Sequence, residues 1–163
     1  MTITFQGTPV TIQKPLLKKG DILQDFSITK NDLSEVTLKD TKGSRVFITV
    51  PSLDTGVCSM EVAKFMEYAQ GFQDVEVYTV SMDLPFALDR WCQSKANSNI
   101  ITASDYKSRS FGEASSTYVE ELGLLTRAVF VVDKDNVVQY VEYVSEITNE
   151  PDYDAVLNAV AKL

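Results

Sequence analysis

Val46-Phe47-Ile48-Thr49-Val50-Pro51-Ser52-Leu53-Asp54-Thr55-Gly56-Val57-Cys58 is an apolar, β-branched run that stops at a proline and passes into a short polar turn. Directly after it, Val62, Phe65, Met66 and Ala69 fall at the i, i+3, i+4, i+7 spacing of an amphipathic helix. A strand with so little polar alternation suits burial on both faces, and a buried strand feeding a helix is the building unit of a layered α/β domain. Val75-Glu76-Val77-Tyr78-Thr79-Val80 and Ala128-Val129-Phe130-Val131-Val132 have the same character and read as its companions at the middle of a sheet. Leu84, Ala87, Leu88 and Trp91 predict a second helix, with Asp83 as its capping residue and Pro85 in its first turn. Tyr153, Val156, Leu157 and Val160 predict a third. Hairpins are expected around Gly7, around Asn31-Asp32, and at Asp133-Lys134-Asp135-Asn136. The order is therefore hairpin, strand, helix, strand, helix, strand, hairpin, helix, and the closing hairpin makes the sheet mixed.

At 163 residues, 44% of them hydrophobic, the chain can bury a core without staples and reads as one domain over residues 1–163, without repeat or low-complexity tract. Its two cysteines are too few for a disulfide scaffold, and it has no histidine. Imidazole-based triads and most zinc sites are thereby excluded, so any chemistry runs on thiol, hydroxyl, carboxylate, amine or guanidinium. A net charge of −8 argues against a sequence-independent grip on nucleic-acid phosphates. Met1-Thr2-Ile3-Thr4-Phe5-Gln6 carries neither a basic stretch nor a long apolar run, so a secretory signal is not expected, and no segment approaches the roughly 18 apolar residues of a membrane span. A cytoplasmic protein is expected, and in that compartment a pair of thiols points to redox chemistry or catalysis before structure.

Cys58 stands where a buried strand gives way to a helix, and at such a start free backbone N–H groups and the helix dipole favour an anion. A thiol there ionises more readily than in water. The alternative is a small buried cysteine filling a gap, the usual fate of a free cysteine. Thr55, three residues earlier, either caps the helix or offers its hydroxyl beside the sulfur. Pro51 ends the strand, and beside a thiolate it also removes one N–H and walls off water. Arg127 opens an apolar strand, where a guanidinium is either a surface charge or the partner of a buried anion.

Pro51-x-x-x-Thr55-x-x-Cys58 resembles the signature of the peroxiredoxins, and the full string Pro51-Ser52-Leu53-Asp54-Thr55-Gly56-Val57-Cys58 resembles their thiol peroxidase branch, of the atypical two-cysteine type. Ser81-Met82-Asp83-Leu84-Pro85-Phe86-Ala87, Arg127-Ala128-Val129-Phe130-Val131-Val132-Asp133 and Glu146-Ile147-Thr148-Asn149-Glu150-Pro151-Asp152-Tyr153 extend the likeness over nearly the whole chain. The resemblance implies a thioredoxin-like fold, a central mixed sheet flanked by helices, with an added N-terminal β-hairpin. It makes Cys58 the peroxidatic cysteine, Thr55 the hydroxyl that orients the peroxide, Pro51 the shield and Arg127 the cation. It makes Cys92, which follows Trp91 in the second predicted helix, the resolving thiol of an intramolecular disulfide. Bridged cysteines need α-carbons within about 7 Å, so helix unwinding on oxidation is expected. The substrates implied are hydrogen peroxide and alkyl or lipid hydroperoxides, the reductant thioredoxin or a similar dithiol, the assembly a homodimer, with no cofactor and no metal. Two places depart from the family: Gln24 stands where a proline is common, and Thr126 where a small alanine is usual. Two other readings remain open. A general dithiol oxidoreductase is disfavoured by the absence of Cys-x-x-Cys. A non-catalytic peroxide sensor would be oxidised once and bind a partner through its changed shape.

Overall fold

Both faces of the predicted central strands are covered. The structure, a computed structural model, describes residues 1–97 and 99–163. In chain order its elements are strands β1 (Ile3–Phe5), β2 (Thr8–Val10), β3 (Ser27–Lys30), β4 (Glu35–Thr37) and β5 (Ser44–Thr49), helix α1 (Gly56–Ala69), β6 (Val75–Ser81) and α2 (Pro85–Lys95). Then follow β7 (Ile101–Ser104), α3 (Ser110–Ala114), β8 (Tyr118–Val119), β9 (Leu124–Leu125), β10 (Ala128–Val132), β11 (Val138–Tyr143) and α4 (Tyr153–Val160). Seven strands form one mixed sheet in the order β11-β10-β5-β6-β7-β3-β4. Within it β5, β6 and β7 are parallel to one another, and β10, β11, β3 and β4 join antiparallel.

Alternate residues of each central strand enter opposite layers. Phe47, Tyr78, Val80, Ala128, Phe130 and Val132 pack with Phe26 and Phe111 on one face; Val46, Ile48, Val77, Val129 and Val131 pack with Val62, Phe65, Leu88, Trp91 and Val156 on the other. That is the two-sided burial expected of runs lacking polar alternation. In the first layer the rings of Phe26, Phe47, Tyr78 and Phe111 meet at centroid distances of 4.9 to 5.7 Å. The second layer is supplied by α1, α2 and α4, so the helices that carry the cysteines lean on the same sheet face.

The predicted hairpins at Gly7, at Asn31-Asp32 and at 133–136 are all present. The strand order differs from the linear reading in one respect. The strand that follows α2 is β7, Ile101-Thr102-Ala103-Ser104, beside β6, whereas 128–132 lies on the other flank of β5 and runs antiparallel to it. Four residues of mixed polarity carry little pattern, and only the open edge of β6 makes them a strand. Asp83 also departs from its expected role: the residue preceding α2 is Leu84, 52% exposed and without a side-chain cap, and the Asp83 carboxylate turns elsewhere. No helix among the described residues is long and apolar enough to cross a membrane.

The N-terminal hairpin lies along residues 145–147. Thr4 N–H donates to the Ser145 carbonyl at 2.7 Å and Ile147 N–H donates to the Thr4 carbonyl at 2.9 Å. The Glu146 carboxylate accepts from the Thr4 hydroxyl and from the Gln6 and Gly7 N–H groups, and the bonds from Thr4, Gly7 and Thr148, Thr4 first, hold its carboxyl down at about 2. The loop around Gln24 is fastened by backbone bonds: Gly20 N–H to Val138 C=O, Val138 N–H to Asp21 C=O, and Leu23 N–H to Asn136 C=O, all at 2.8 to 2.9 Å.

Candidate active site

The carboxyl end of β5 delivers the chain to the first turn of α1. Val50 N–H still donates to the Val80 carbonyl at 3.2 Å; Pro51, buried and lacking an N–H, ends the ladder. A tight turn follows, in which Thr55 N–H and the Thr55 hydroxyl both donate to the Ser52 carbonyl, at 3.2 and 2.9 Å. Thr55 occupies the capping position with extended backbone, yet its side chain does not cap the helix. With its proton committed to Ser52, its oxygen keeps lone pairs that can accept from an incoming O–H. Cys58 lies in the first turn of α1, 1% exposed, near the backbone N–H groups that the helix itself leaves without partners.

Arg127 is not a surface charge. It is 2% exposed, and its Nη2 lies 3.1 Å from Cys58 Sγ, while Nε donates to the Ile147 carbonyl at 2.8 Å and Nη1 to Glu61 Oε2. A guanidinium so held points a fixed N–H at the sulfur, a bond that strengthens as negative charge gathers there. Glu61 is fully buried, and its other oxygen, Oε1, has no partner among the described residues. Burial pushes its carboxyl up to about 7, against the opposing pull of Arg127. Burial alone would lower the Arg127 pKa, but the charges of Glu61 and Cys58 outweigh it and the group is raised. One buried cation thus faces two acidic groups. Sequence reasoning singled out Cys58, Thr55, Pro51 and Arg127 but missed Glu61 and the Ile147 carbonyl. A signal for Glu61 exists: it stands one turn after Cys58 on the stripe with Val62 and Phe65, an acid where the apolar face belongs.

The redoxin family profile matches residues 18–157. Over 159 residues, 98% of this chain and 97% of the relative, the chain is 47% identical to the thiol peroxidase of Clostridium acetobutylicum. The chain belongs to the redoxin family, within its thiol peroxidase branch. The thiol peroxidase of Bacillus subtilis is likewise 47% identical over 162 residues, 99% of this peroxiredoxin and 97% of the relative. Among solved structures, a peroxiredoxin-like protein from Aquifex aeolicus superposes with a TM-score of 0.93 at 43% identity, covering 99% of this chain and 96% of that one. The thiol peroxidase of Chromobacterium violaceum shares the fold, with a TM-score of 0.89 at 18% identity over 99% of this chain and 95% of its own. The chain thus has the thioredoxin-like architecture of the peroxiredoxins, with an N-terminal hairpin.

In this peroxiredoxin both cysteines are free thiols. The helices that carry them touch through the neighbours: Trp91 Nε1 donates to Ser59 Oγ at 2.9 Å. Successive helical residues point about 100° apart, so contact between Ser59 and Trp91 turns the Cys92 side chain away from that line. Cys92 Sγ instead sits 3.1 Å from the Thr102 hydroxyl and receives the side-chain amides of Asn31 at 3.4 Å and Asn97 at 3.5 Å, beside a cavity of about 500 Å³. The structure therefore brings Arg127 to Cys58 and holds Cys92 in a pocket of its own. Thr126 leaves the guanidinium setting intact: its carbonyl accepts from the Thr49 hydroxyl at 2.8 Å, and Arg127 makes its own contacts one residue on.

The Glu61 carboxyl has a consequence for stability. Its folded value, about 7, lies above the ordinary 4.5, so the folded state holds the proton more firmly than the unfolded chain. That contribution is fully present below pH 4.5 and is lost as pH rises through about 7. Between those limits the unfolding free energy of the parent protein is expected to fall relative to a Glu61→Gln variant, which does not titrate, by up to roughly 3 kcal/mol. Denaturant unfolding of both proteins at a series of pH values measures the difference; parallel pH profiles would contradict it.

Proposed function

We propose that Cys58 is the peroxidatic thiol of this thiol peroxidase, Arg127 the cation that serves it, Thr55 the hydroxyl that orients the peroxide, Pro51 the wall beside it and Cys92 the resolving thiol. The observation that carries the reading is the buried Arg127 Nη2 at 3.1 Å from Cys58 Sγ, at the start of a helix. The thiolate attacks the distal oxygen of a hydroperoxide; an S–O bond forms, the O–O bond breaks, and the alkoxide or hydroxide leaves with the electron pair and takes up a proton. Donors at the helix start and on Arg127 stabilise the charge spreading over sulfur and both oxygens. The Cys92 thiol then displaces hydroxide from the Cys58 sulfenic acid, which departs as water, leaving a Cys58–Cys92 disulfide. A dithiol of the thioredoxin kind reduces that disulfide, becoming a disulfide itself and returning both thiols.

Met60, Leu84 and Phe86, exposed beside this region at 54, 52 and 68%, support alkyl and lipid hydroperoxides as substrates alongside hydrogen peroxide. Such a cycle fits the cytoplasm, where dithiols are kept reduced, and a homodimer of chains that each work as one unit over residues 1–163.

One equivalent of peroxide is expected to give the Cys58–Cys92 cross-link on peptide mapping. A Cys92→Ser variant should consume a single equivalent and stop at the Cys58 sulfenic acid, seen as one added oxygen in the intact mass, while the parent turns over with a thioredoxin system. A parent protein that also stops at one equivalent would be a sensor and not a peroxidase.

A further inference from the structure

Asp83 joins β6 to α2, and its carboxylate is engaged on both sides. Oδ1 accepts from the Ser52 hydroxyl at 2.6 Å; Oδ2 accepts from Leu53 N–H and from the Ser81 hydroxyl, each at 2.8 Å. Ser52 and Leu53 belong to the turn that leads from Pro51 to Thr55 and Cys58. The Ser52 carbonyl accepts both Thr55 bonds, and the Ser52 hydroxyl also accepts from Asp54 N–H at 3.1 Å. Two residues beyond Asp83, Pro85 begins the helix that carries Cys92. A single carboxylate therefore ties the segment before one cysteine to the segment before the other. Without it, the turn is joined to α2 by little else that is polar among the described residues: Arg90 reaches Asp54 only at 3.9 Å, with both side chains largely exposed.

We propose that Asp83 is a positioning residue that latches the Cys58 turn to the start of the Cys92 helix, holding the peroxide-reactive arrangement and opposing the movement that lets the two sulfurs meet. The latch rests on the reading of Cys58 and Cys92 given above. Charge-assisted bonds from Ser52 and Leu53 fix where the Ser52 carbonyl stands, and hence where the Thr55 hydroxyl stands. The same bonds must break before the turn and the first turn of α2 can separate, since the cysteines sit in different pockets while it holds. Loosening the latch should therefore move the two steps in opposite directions: oxidation of Cys58 slows because the site is less well placed, and disulfide closure quickens because local opening is easier.

The test separates those steps in Asp83→Ala. The second-order rate of Cys58 oxidation is read by chemical trapping of the sulfenic acid in a Cys92→Ser background. The first-order rate of disulfide closure is read in the two-cysteine protein by acid quench and mass, with the fluorescence of Trp91, the single tryptophan, as a continuous signal. Oxidation is expected to slow about tenfold and closure to speed up several-fold. In Asp83→Asn the amide oxygen can take the place of Oδ2 and its nitrogen can donate to the Ser52 hydroxyl, so this variant should recover most of both changes. Ser52→Ala removes one anchor and should shift both rates the same way by less, which keeps the idea testable if Asp83→Ala does not fold. Both rates unchanged, or both lowered together, would overturn the latch. A parent protein that forms no Cys58–Cys92 disulfide would instead overturn the assignment of the cysteines, a result visible before any Asp83 variant is made.

Discussion

Cys58→Ser is expected to abolish peroxide consumption in the presence of a thioredoxin system, to the level of the reductant alone. A hydroxyl in place of the thiol remains protonated at any pH where the protein is folded, and its oxygen has no counterpart to the sulfenic acid through which the cycle runs. The substitution leaves the rest of the site standing. Serine is nearly isosteric, its oxygen can accept from Arg127 Nη2, and Arg127 keeps its bonds to Glu61 and the Ile147 carbonyl. The unfolding midpoint should therefore move little, corresponding to about 1 kcal/mol or less. Steady-state rates on hydrogen peroxide and an organic hydroperoxide, with denaturant unfolding beside them, check both halves. Turnover retained above background would remove Cys58 from the reaction.

Arg127→Ala carries the second large effect, and it acts on reactivity and on folding. Loss of one preorganised donor at a charge-developing centre typically costs about 10²–10³ in rate, and Arg127 supplies both the donor and the full charge beside Cys58. The same change leaves Glu61 buried with neither oxygen bonded, because Oε1 is already without a partner among the described residues and Oε2 depends on Arg127. An uncompensated buried charge costs on the order of 3–5 kcal/mol. With Arg127 gone the Glu61 carboxyl should titrate higher still, so Arg127→Ala should be markedly less stable at pH 8 than at pH 5. The paired variant Arg127→Met with Glu61→Gln should regain most of that stability and none of the rate. Activity returning with the fold would show that Arg127 merely fills and neutralises its pocket; stability returning alone assigns it to the chemistry.

The residues that make this site were legible in unequal degree. Cys58 announced itself because a β-branched run, a proline and an amphipathic helix are local patterns, and their junction is a local position. Thr55 was legible as the helix boundary, while the bond its hydroxyl makes, to the Ser52 carbonyl instead of a helical N–H, depends on the shape of the turn. Arg127 by itself read more readily as a surface charge at a strand end, and only its occurrence together with Cys58 favoured a buried partner; nothing in its neighbours along the chain says that Glu61 and Cys58 lie opposite. Asp83 was read as a cap from its place before Leu84-Pro85, the usual local rule, and was taken by a partner thirty positions away.

The sequence by itself determined the alternation of buried strands and amphipathic helices, the three hairpins, the place of Cys58 at a strand-to-helix junction, and the exclusion of imidazole chemistry, since all of these rest on periodicity, composition or neighbouring residues. Only the tertiary structure decided that β7 and not β10 flanks β6, that one buried guanidinium joins Cys58 to Glu61, that Cys92 waits among Asn31, Asn97 and Thr102, and that Asp83 spans the two cysteine segments. These contacts join residues far apart in the chain. Which distant groups meet is set by how whole strands and helices pack, and a buried charge chooses its partner from what that packing brings within reach.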